Sequence, residues 1–474
     1  MKRFAPALGV LAVFISVSSA QAAPFSDYST QPTYTLTLPA GGFVLTDAFP
    51  LGTAGSVDGY PLGGHLIAVT GQTVFLQNNF GSGHWLTVAT VDISMDPSFV
   101  KVSRSGAKVA LGVGYGKPLH VFAPSVLSAS SPPDLSTNPT VKTWNALNYY
   151  DAAWLDDRHL FINAGEFVGS EVYALDTQAT PPGGTITVIN NIPGASSGVT
   201  FDGNGNLITG IGWGSGTPGF ETGQLKVWSA AAVQAALAPG GTALDYQATG
   251  AVLAEVALSA AFLGVDDDGN LHVGGGDVFG TSGNFGYAVV INHDVITRVL
   301  AGGAPADPTS TADWVKIAPD PCQNDDSVQV QYVPGIKMLV VSANLASQPP
   351  NCASTDWSGS PSATGPTVQL YFPPDAPDTD GDGIPDGADN AYLTPNPDQA
   401  DVDGDGFGDA AKKWDVNGDG IIDDKDLSVL VDAFGLQRGD AGFNAAVDFD
   451  NNGVIDFADF ELLRARWRQV APFY

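Results

Sequence analysis

Basic side chains are scarce in this chain. Its 19 lysines and arginines stand against 50 aspartates and glutamates, a formal net charge of −31 over 474 residues. That deficit excludes a chain that grips nucleic acid or an anionic membrane through positive charge, and it makes multivalent cations the natural partner. Cysteine is almost absent. The two present, Cys322 and Cys352, have no metal-ligand or redox spacing around them, and in an exported chain they read as one structural disulfide. The six histidines are scattered and no His-Glu-x-x-His pair occurs, so the zinc-peptidase helix is missing. Past the amino terminus, no apolar run approaches the roughly 20 residues that a membrane helix needs.

The amino terminus itself reads as an address. Lys2 and Arg3 precede a short apolar run from Ala7 to Val17, and Ala20-Gln21-Ala22 follows as a small-residue cleavage site. Residues 1–22 are therefore expected to be a signal peptide, and the mature chain to be secreted or displayed at the cell surface.

Between residues 24 and 372 the chain is rich in Gly, Pro, Thr and Val, and short β-type runs alternate with turns. A loose repeat emerges when strands that follow a turn are aligned: His65–Val69, Lys108–Val113, His159–Asn163, Asn206–Thr209, Asn270–Val273 and Lys337–Val341. Each is followed by a second run, and usually by a third, among them Trp85–Val91, Val141–Trp144, Ile186–Ile189, Val252–Val256 and Ile296–Leu300. The sixth unit lacks a third run, and Tyr34–Leu38 is left over at the start to fill the gap. Pairing the first strand with the last sheet closes a ring and removes free edges. The expected fold is mainly β: a β-propeller, six-bladed with seven as the main competitor, and a pair of β-sandwiches as the alternative architecture.

Chemistry is sparse in that body. Asp156-Asp157, Asp266-Asp267-Asp268 and Asp325-Asp326 stand just ahead of β-type runs and read as turn residues rather than paired catalytic carboxylates. His65 and His159 share a repeat position with Asn206 and Asn270, which argues for a role in the hairpin. Gly194-Ala-Ser196-Ser-Gly198 matches the string of a nucleophile elbow, but Val199 onward reads as a strand where an elbow requires a helix. The Gly-rich tracts Gly210–Gly219 and Gly274–Gly276 lack the strand-to-helix setting of a phosphate loop.

After Pro373-Pro374 the composition changes. From Asp375 to Tyr474 there are 23 acidic and 7 basic side chains, about half the net charge in a fifth of the chain. Asp378, Asp380, Asp382, Asp386 and Asp389 alternate with glycines and small residues, and Asp401, Asp403, Asp405 and Asp409 repeat the arrangement. Ca2+ takes six to eight oxygen ligands at about 2.3–2.6 Å, and a tightly turned loop of alternating aspartates aims such ligands inward. Two further segments match an EF-hand calcium loop at positions 1, 3, 5, 6, 7 and 9, Asp415, Asn417, Asp419, Gly420, Ile421 and Asp423, and, about 33 residues on, Asp448, Asp450, Asn452, Gly453, Val454 and Asp456, with Asp426 and Asp459 at position 12. Both end in Asp where an ordinary EF-hand has Glu. A helix is expected after each loop, with Leu427, Leu430, Val431 and Phe434 as one apolar stripe and Phe460, Leu463 and Trp467 as the other.

Residues 378–410 resemble thrombospondin type 3 repeats, without the cysteines of animal versions. The resemblance implies side-chain ligation by the aspartates just named, with carbonyls from Ile384 and Phe407. Residues 412–469 resemble a dockerin type I domain, two loop-plus-helix halves ending in Asp. That resemblance implies Ca2+ as the bound ion and docking to a cohesin-type module, with partner choice read at loop positions 10 and 11, here Asp424-Lys425 and Phe457-Ala458. The domain plan is then a signal peptide at 1–22, a propeller at 24–372, calcium repeats at 375–410 and the dockerin-like module at 412–469. Three function classes follow: a binding protein whose propeller takes an extracellular ligand such as a polysaccharide or surface glycan, a polysaccharide-degrading enzyme, or a structural matrix component.

Overall fold

The computed structural model describes residues 33–464 apart from a number of loops, the longest being 213–221, 276–286, 318–328 and 344–366. The expected signal peptide, Ser196, Cys322 and Cys352 lie outside the described residues.

Six sheets, antiparallel but for a short parallel pair at the outer edge of the third, follow one another around a ring, so the chain is a six-bladed propeller rather than a seven-bladed one or a pair of sandwiches. The innermost strands are Val44–Ala48, Phe99–Val102, Tyr149–Trp154, Val199–Phe201, Phe262–Val265 and Gln329–Val333. Each touches the innermost strand of the next blade, and the sixth returns to the first. Closure is made as the leftover strand suggested. Tyr34–Thr37 forms the outer strand of blade 6, antiparallel to Thr367–Tyr371, with Tyr34 opposite Leu370 and Thr37 opposite Thr367. The two ends of the ring share one sheet.

The second strands coincide with the repeat: Leu66–Thr70, Val109–Gly112 and Leu207–Gly210 are buried at every residue, as continuous apolar runs between two packed faces should be. Gly210 closes the last of these because a Cβ there would meet the Gln224 carbonyl oxygen at 1.9 Å. In blade 5 the structure departs from the β reading of Ile296–Leu300. That run lies in a helix, His293–Leu300, and the outer strand of the blade is Trp314–Ile317. The Asn292 side chain caps the helix by accepting from the Asp294 N–H, and Val295, Ile296 and Val299 face the core at helical spacing. A second helix, Ala230–Leu237, capped by Ser229, packs on blades 3 and 4.

The acidic segment after Pro374 does not leave the propeller as a free stalk. Tyr392 is fully buried against blade 6, its ring 5.3 Å from that of Phe372 and its hydroxyl 3.6 Å from the sulfur of Met338. Leu393 lies against Gly64 of blade 1, and Lys337 pairs with Asp375 at 2.6 Å. Further on, the helices expected after the loops are present, Asp424–Asp432 and Phe457–Arg464, each beginning at position 10 and so overlapping the last three loop residues. The first apolar stripe differs from expectation. Leu430 and Ala433 are buried, whereas Val431 is 58% and Phe434 41% exposed. Val431 lies about 100° round the helix from Leu430, and the helix stops at Asp432, before its period could carry Phe434 inward. Leu463 of the second stripe is buried, and Trp467 lies outside the described residues. No described helix is long and apolar enough to cross a membrane.

Candidate metal sites and the propeller centre

At the centre of the propeller, charged groups from three blades converge. Lys101 of blade 2 and Asp151 of blade 3 form an ion pair at 3.1 Å with both side chains buried. Asp47 of blade 1 is buried beside them, and its carboxyl is pushed up to about 6, chiefly by burial and against the pull of Lys101 and of the Val102 and Ala48 N–H groups. Asp151 is also raised by burial. These carboxylates are committed to neighbouring backbone: Asp47 accepts from Val102 N at 2.6 Å, and Asp151 from Val199 N at 3.1 Å. Gln329 of blade 6 does the same for blade 1, accepting from Thr46 N and donating to Thr46 O. Polar groups on innermost strands thus pin blade to blade. A cavity of about 190 Å³ lies elsewhere, between blades 2 and 3, lined mainly by Leu119, Trp144, Tyr149, Ile162 and Leu175.

The raised carboxyl of Asp47 carries a pH signature. Its folded value of about 6 exceeds the ordinary 3.8, so its contribution to stability is fully present below pH 3.8 and is lost as pH rises through 6. Asp47→Asn, which cannot ionise, is expected to gain on wild type by about 2–3 kcal/mol between pH 4 and pH 7, measured as the difference of two urea-unfolding series. A difference independent of pH would contradict this.

The turn aspartates act as turn formers. Asp202 Oδ1 accepts from the N–H groups of Asn204 and Asn206, and Asp266 Oδ1 from those of Asp268 and Asn270. Asp156 does the same for Arg158 and His159. Asn206 and Asn270 each reach on to a helix start, accepting from Ala230 N and His293 N. His65 bonds the Gly63 carbonyl within its own hairpin. Asp325 and Asp326 lie outside the described residues.

Among the described residues of the acidic region, two groups of carboxylates come together. Asp378, Asp380 and Asp382 place one oxygen each within 4.8 Å of one another, and so do Asp448, Asp450 and Asp459. Around the first, Asp378 accepts from Gly381 N, Asp382 N and Gly383 N, and Asp382 accepts from Ile384 N and, with its other oxygen, from Asn396 N. Asp386 is buried just behind, both its oxygens accepting from Thr379, and its carboxyl is pushed up to about 6 by burial, with Asp389 and Asp380 adding repulsion. Asp380 is raised for the same reasons. Asp389 accepts from Ala391 N and Gln399 Nε2.

In the second group Asp448 and Asp459 are buried and Asp450 exposed. Asp459, at loop position 12, reaches back to accept from Phe449 N at 2.7 Å and from Asp456 N at 2.8 Å. Asp450 and Asn452 fold the loop by accepting from Asn452 N and Val454 N, and Asp456 accepts from Ala458 N. Gly453 takes φ +86°, the left-handed conformation for which glycine stands there. Asp448 Oδ2 accepts from Gly453 N, while its Oδ1 is buried with no hydrogen-bond partner. In the first loop the equivalent of Asp459 is Asp426, whose Oδ1 accepts from Asn417 N at 3.2 Å, and Asp415 is buried beside Trp414. Asp401 is described, whereas Asp403, Asp405, Phe407, Asp409, Asp419, Ile421 and Asp423 lie outside the described residues.

No family model matches the chain, and no curated protein matches it. Among solved structures, likenesses are found at low identity. A Trichoderma reesei carbohydrate-active enzyme of family AA12 is 12% identical with a TM-score of 0.44, covering 72% of this chain and 98% of its own. A luciferin-regenerating enzyme is 12% identical with a TM-score of 0.41, covering 71% and 94%. A gluconolactonase from Xanthomonas campestris is 12% identical with a TM-score of 0.40, covering 72% and 89%.

Proposed function

We propose that this chain is an exported binding protein in which a rigid six-bladed propeller takes an extracellular ligand, with polysaccharide or surface glycan as the class tested first, and a calcium-braced tail docks it to a cohesin-type partner. The observation that carries the calcium part is the group Asp448, Asp450 and Asp459, with a buried Asp448 oxygen that no protein donor satisfies. A buried, unsatisfied carboxylate oxygen is costly, and a cation is what relieves it. The donors are all oxygen, which suits a hard ion such as Ca2+ over zinc or copper. Asp448, Asp450, Asn452 and Asp459 would supply side chains there and Val454 its carbonyl, with Asp378, Asp380 and Asp382 holding an ion in the first repeat.

Docking is supported by the apolar surface that both halves leave exposed. Phe457, at position 10 of its loop, is 71% exposed, with its ring 5.3 Å from Phe434 and 6.2 Å from Phe460. Exposed aromatics clustered across two helices mark an interaction surface. At the propeller centre, by contrast, each acidic group is buried and tied to backbone, which favours a binding platform over a catalytic one.

The test is calcium titration of the full chain. With ~1 mM Ca2+, in the range of extracellular modules, residues 375–464 are expected to become resistant to limited proteolysis and to gain helical ellipticity. Chelator should reverse both. A chain that takes up no ion in equilibrium dialysis, or whose cleavage pattern ignores calcium, would overturn the reading. Retention on a glycan array tests the propeller's share of it, and release of reducing sugars would move the assignment to an enzyme.

A further inference from the structure

We infer that Arg438 is a built-in counter-ion that sets the divalent-ion affinity of the second loop; this rests on the calcium reading above. Arg438 lies in the stretch that follows the first tail helix, and backbone bonds fix that stretch across loop 448–459. Gly435 N donates to Ile455 O, Ile455 N to Leu436 O, and Arg438 N to Gly453 O, with Gln437 and Val454 forming an antiparallel bridge. The Arg438 side chain is thereby laid over Gly453, where a Cβ would stand 3.7 Å from the arginine Cβ and 3.9 Å from its Nε. Its Nη2 reaches Asp448 Oδ2 at 3.4 Å.

The two oxygens of Asp448 are therefore divided. Oδ2 is shared by the Gly453 N–H and the guanidinium, buried Oδ1 has no hydrogen-bond partner among the described residues, and one Asp448 oxygen lies within 4.8 Å of oxygens of Asp450 and Asp459. Three carboxylates confined this closely repel, and one fixed positive charge at their rim offsets part of that repulsion when no metal is bound. The same charge opposes an arriving divalent ion. The guanidinium is 66% exposed, so its hold on Asp448 is a weak surface-type pair. Its repulsion of a double charge a few ångströms away is larger, worth about a tenfold factor in affinity even at the dielectric of water. The net effect of Arg438 is to weaken ion binding while steadying the ion-free loop.

The experiment is titration of the full chain with Ca2+ alone, following the ions bound by calorimetry, for wild type, Arg438→Gln, Arg438→Lys and Asp448→Asn. Arg438→Gln is expected to tighten one binding event about tenfold, with the gain shrinking in 1 M salt, where the screening length falls to about 3 Å. Arg438→Lys should bind like wild type, and Asp448→Asn should lose that event. If wild type binds Ca2+ and Arg438→Gln binds it with unchanged or weaker affinity, Arg438 is not a counter-ion of the site and the calcium reading stands. If wild type binds no ion, both fall.

Discussion

Replacing Lys101 with methionine is expected to destabilise the propeller by about 3–5 kcal/mol, the usual cost of removing one partner from a buried ion pair. The loss comes from what remains. Asp151 is fully buried, Asp47 nearly so, and both draw on the Lys101 ammonium against a strong desolvation penalty. Without it neither carboxylate has a counter-charge, and each must ionise in a dry site or take up a proton. Acid should therefore rescue the variant in part. With their folded values raised further, both groups contribute stability that returns as pH falls toward 5 and is lost again as pH rises. Combining Lys101→Met with Asp47→Asn and Asp151→Asn should recover much of the loss at neutral pH, because a neutral trio carries no unpaired charge. Chemical unfolding at pH 7 and pH 5 reads both effects; a single variant as stable as wild type at pH 7 would show that Lys101 does not hold the centre together.

Tyr392→Ala is the second large effect, expected at about 3–5 kcal/mol by analogy with other buried aromatic truncations. Its consequence should reach beyond the acidic segment. Tyr392 packs in the same apolar cluster as Leu36 and Leu38 of the ring-closing strand region, Met338 and Leu370 of blade 6, and Leu66 of blade 1. Removing its ring opens a cavity at the seam where the two ends of the propeller meet. Amide exchange in Tyr34–Thr37 and Thr367–Tyr371 should accelerate in the variant, while exchange in blade 4, on the far side of the ring, should change little. Unaltered exchange at the seam would mean that the segment merely rests on the propeller.

These two expectations rest on contacts that no local pattern announces. Lys101 sits in the four-residue strand Phe99–Val102, a position that reads as a surface lysine until three innermost strands are brought side by side. The innermost strands carry little local pattern, because they are short and buried and bear polar residues that serve the next blade. Tyr392 is the lone aromatic of residues 375–406, with no apolar run around it. Its burial depends on Phe372 and Met338, the second of them 54 residues away. Ile296–Leu300 reads as a strand because Val295-Ile296 and Val299 are β-branched, while the Arg298–Asp313 pair that holds the helix against the blade joins residues 15 apart. Val431 turns outward because it lies about 100° round the helix from buried Leu430, and Phe434 because the helix ends at Asp432 before reaching it.

From residue order alone came the mainly β body, the six repeats, the role of Tyr34–Leu38 in closing the ring, the Asx turns and the alternating aspartates of the tail. All of these are local signals: a period of two, a turn residue at a set offset, a ligand type at a fixed spacing. Only the tertiary structure decided which polar groups are buried, where the acidic segment rests, and which tail aromatics face outward. Burial and charge pairing depend on distance through space, and in a ring of blades the side chains that meet at the centre or at the seam come from strands far apart in the chain.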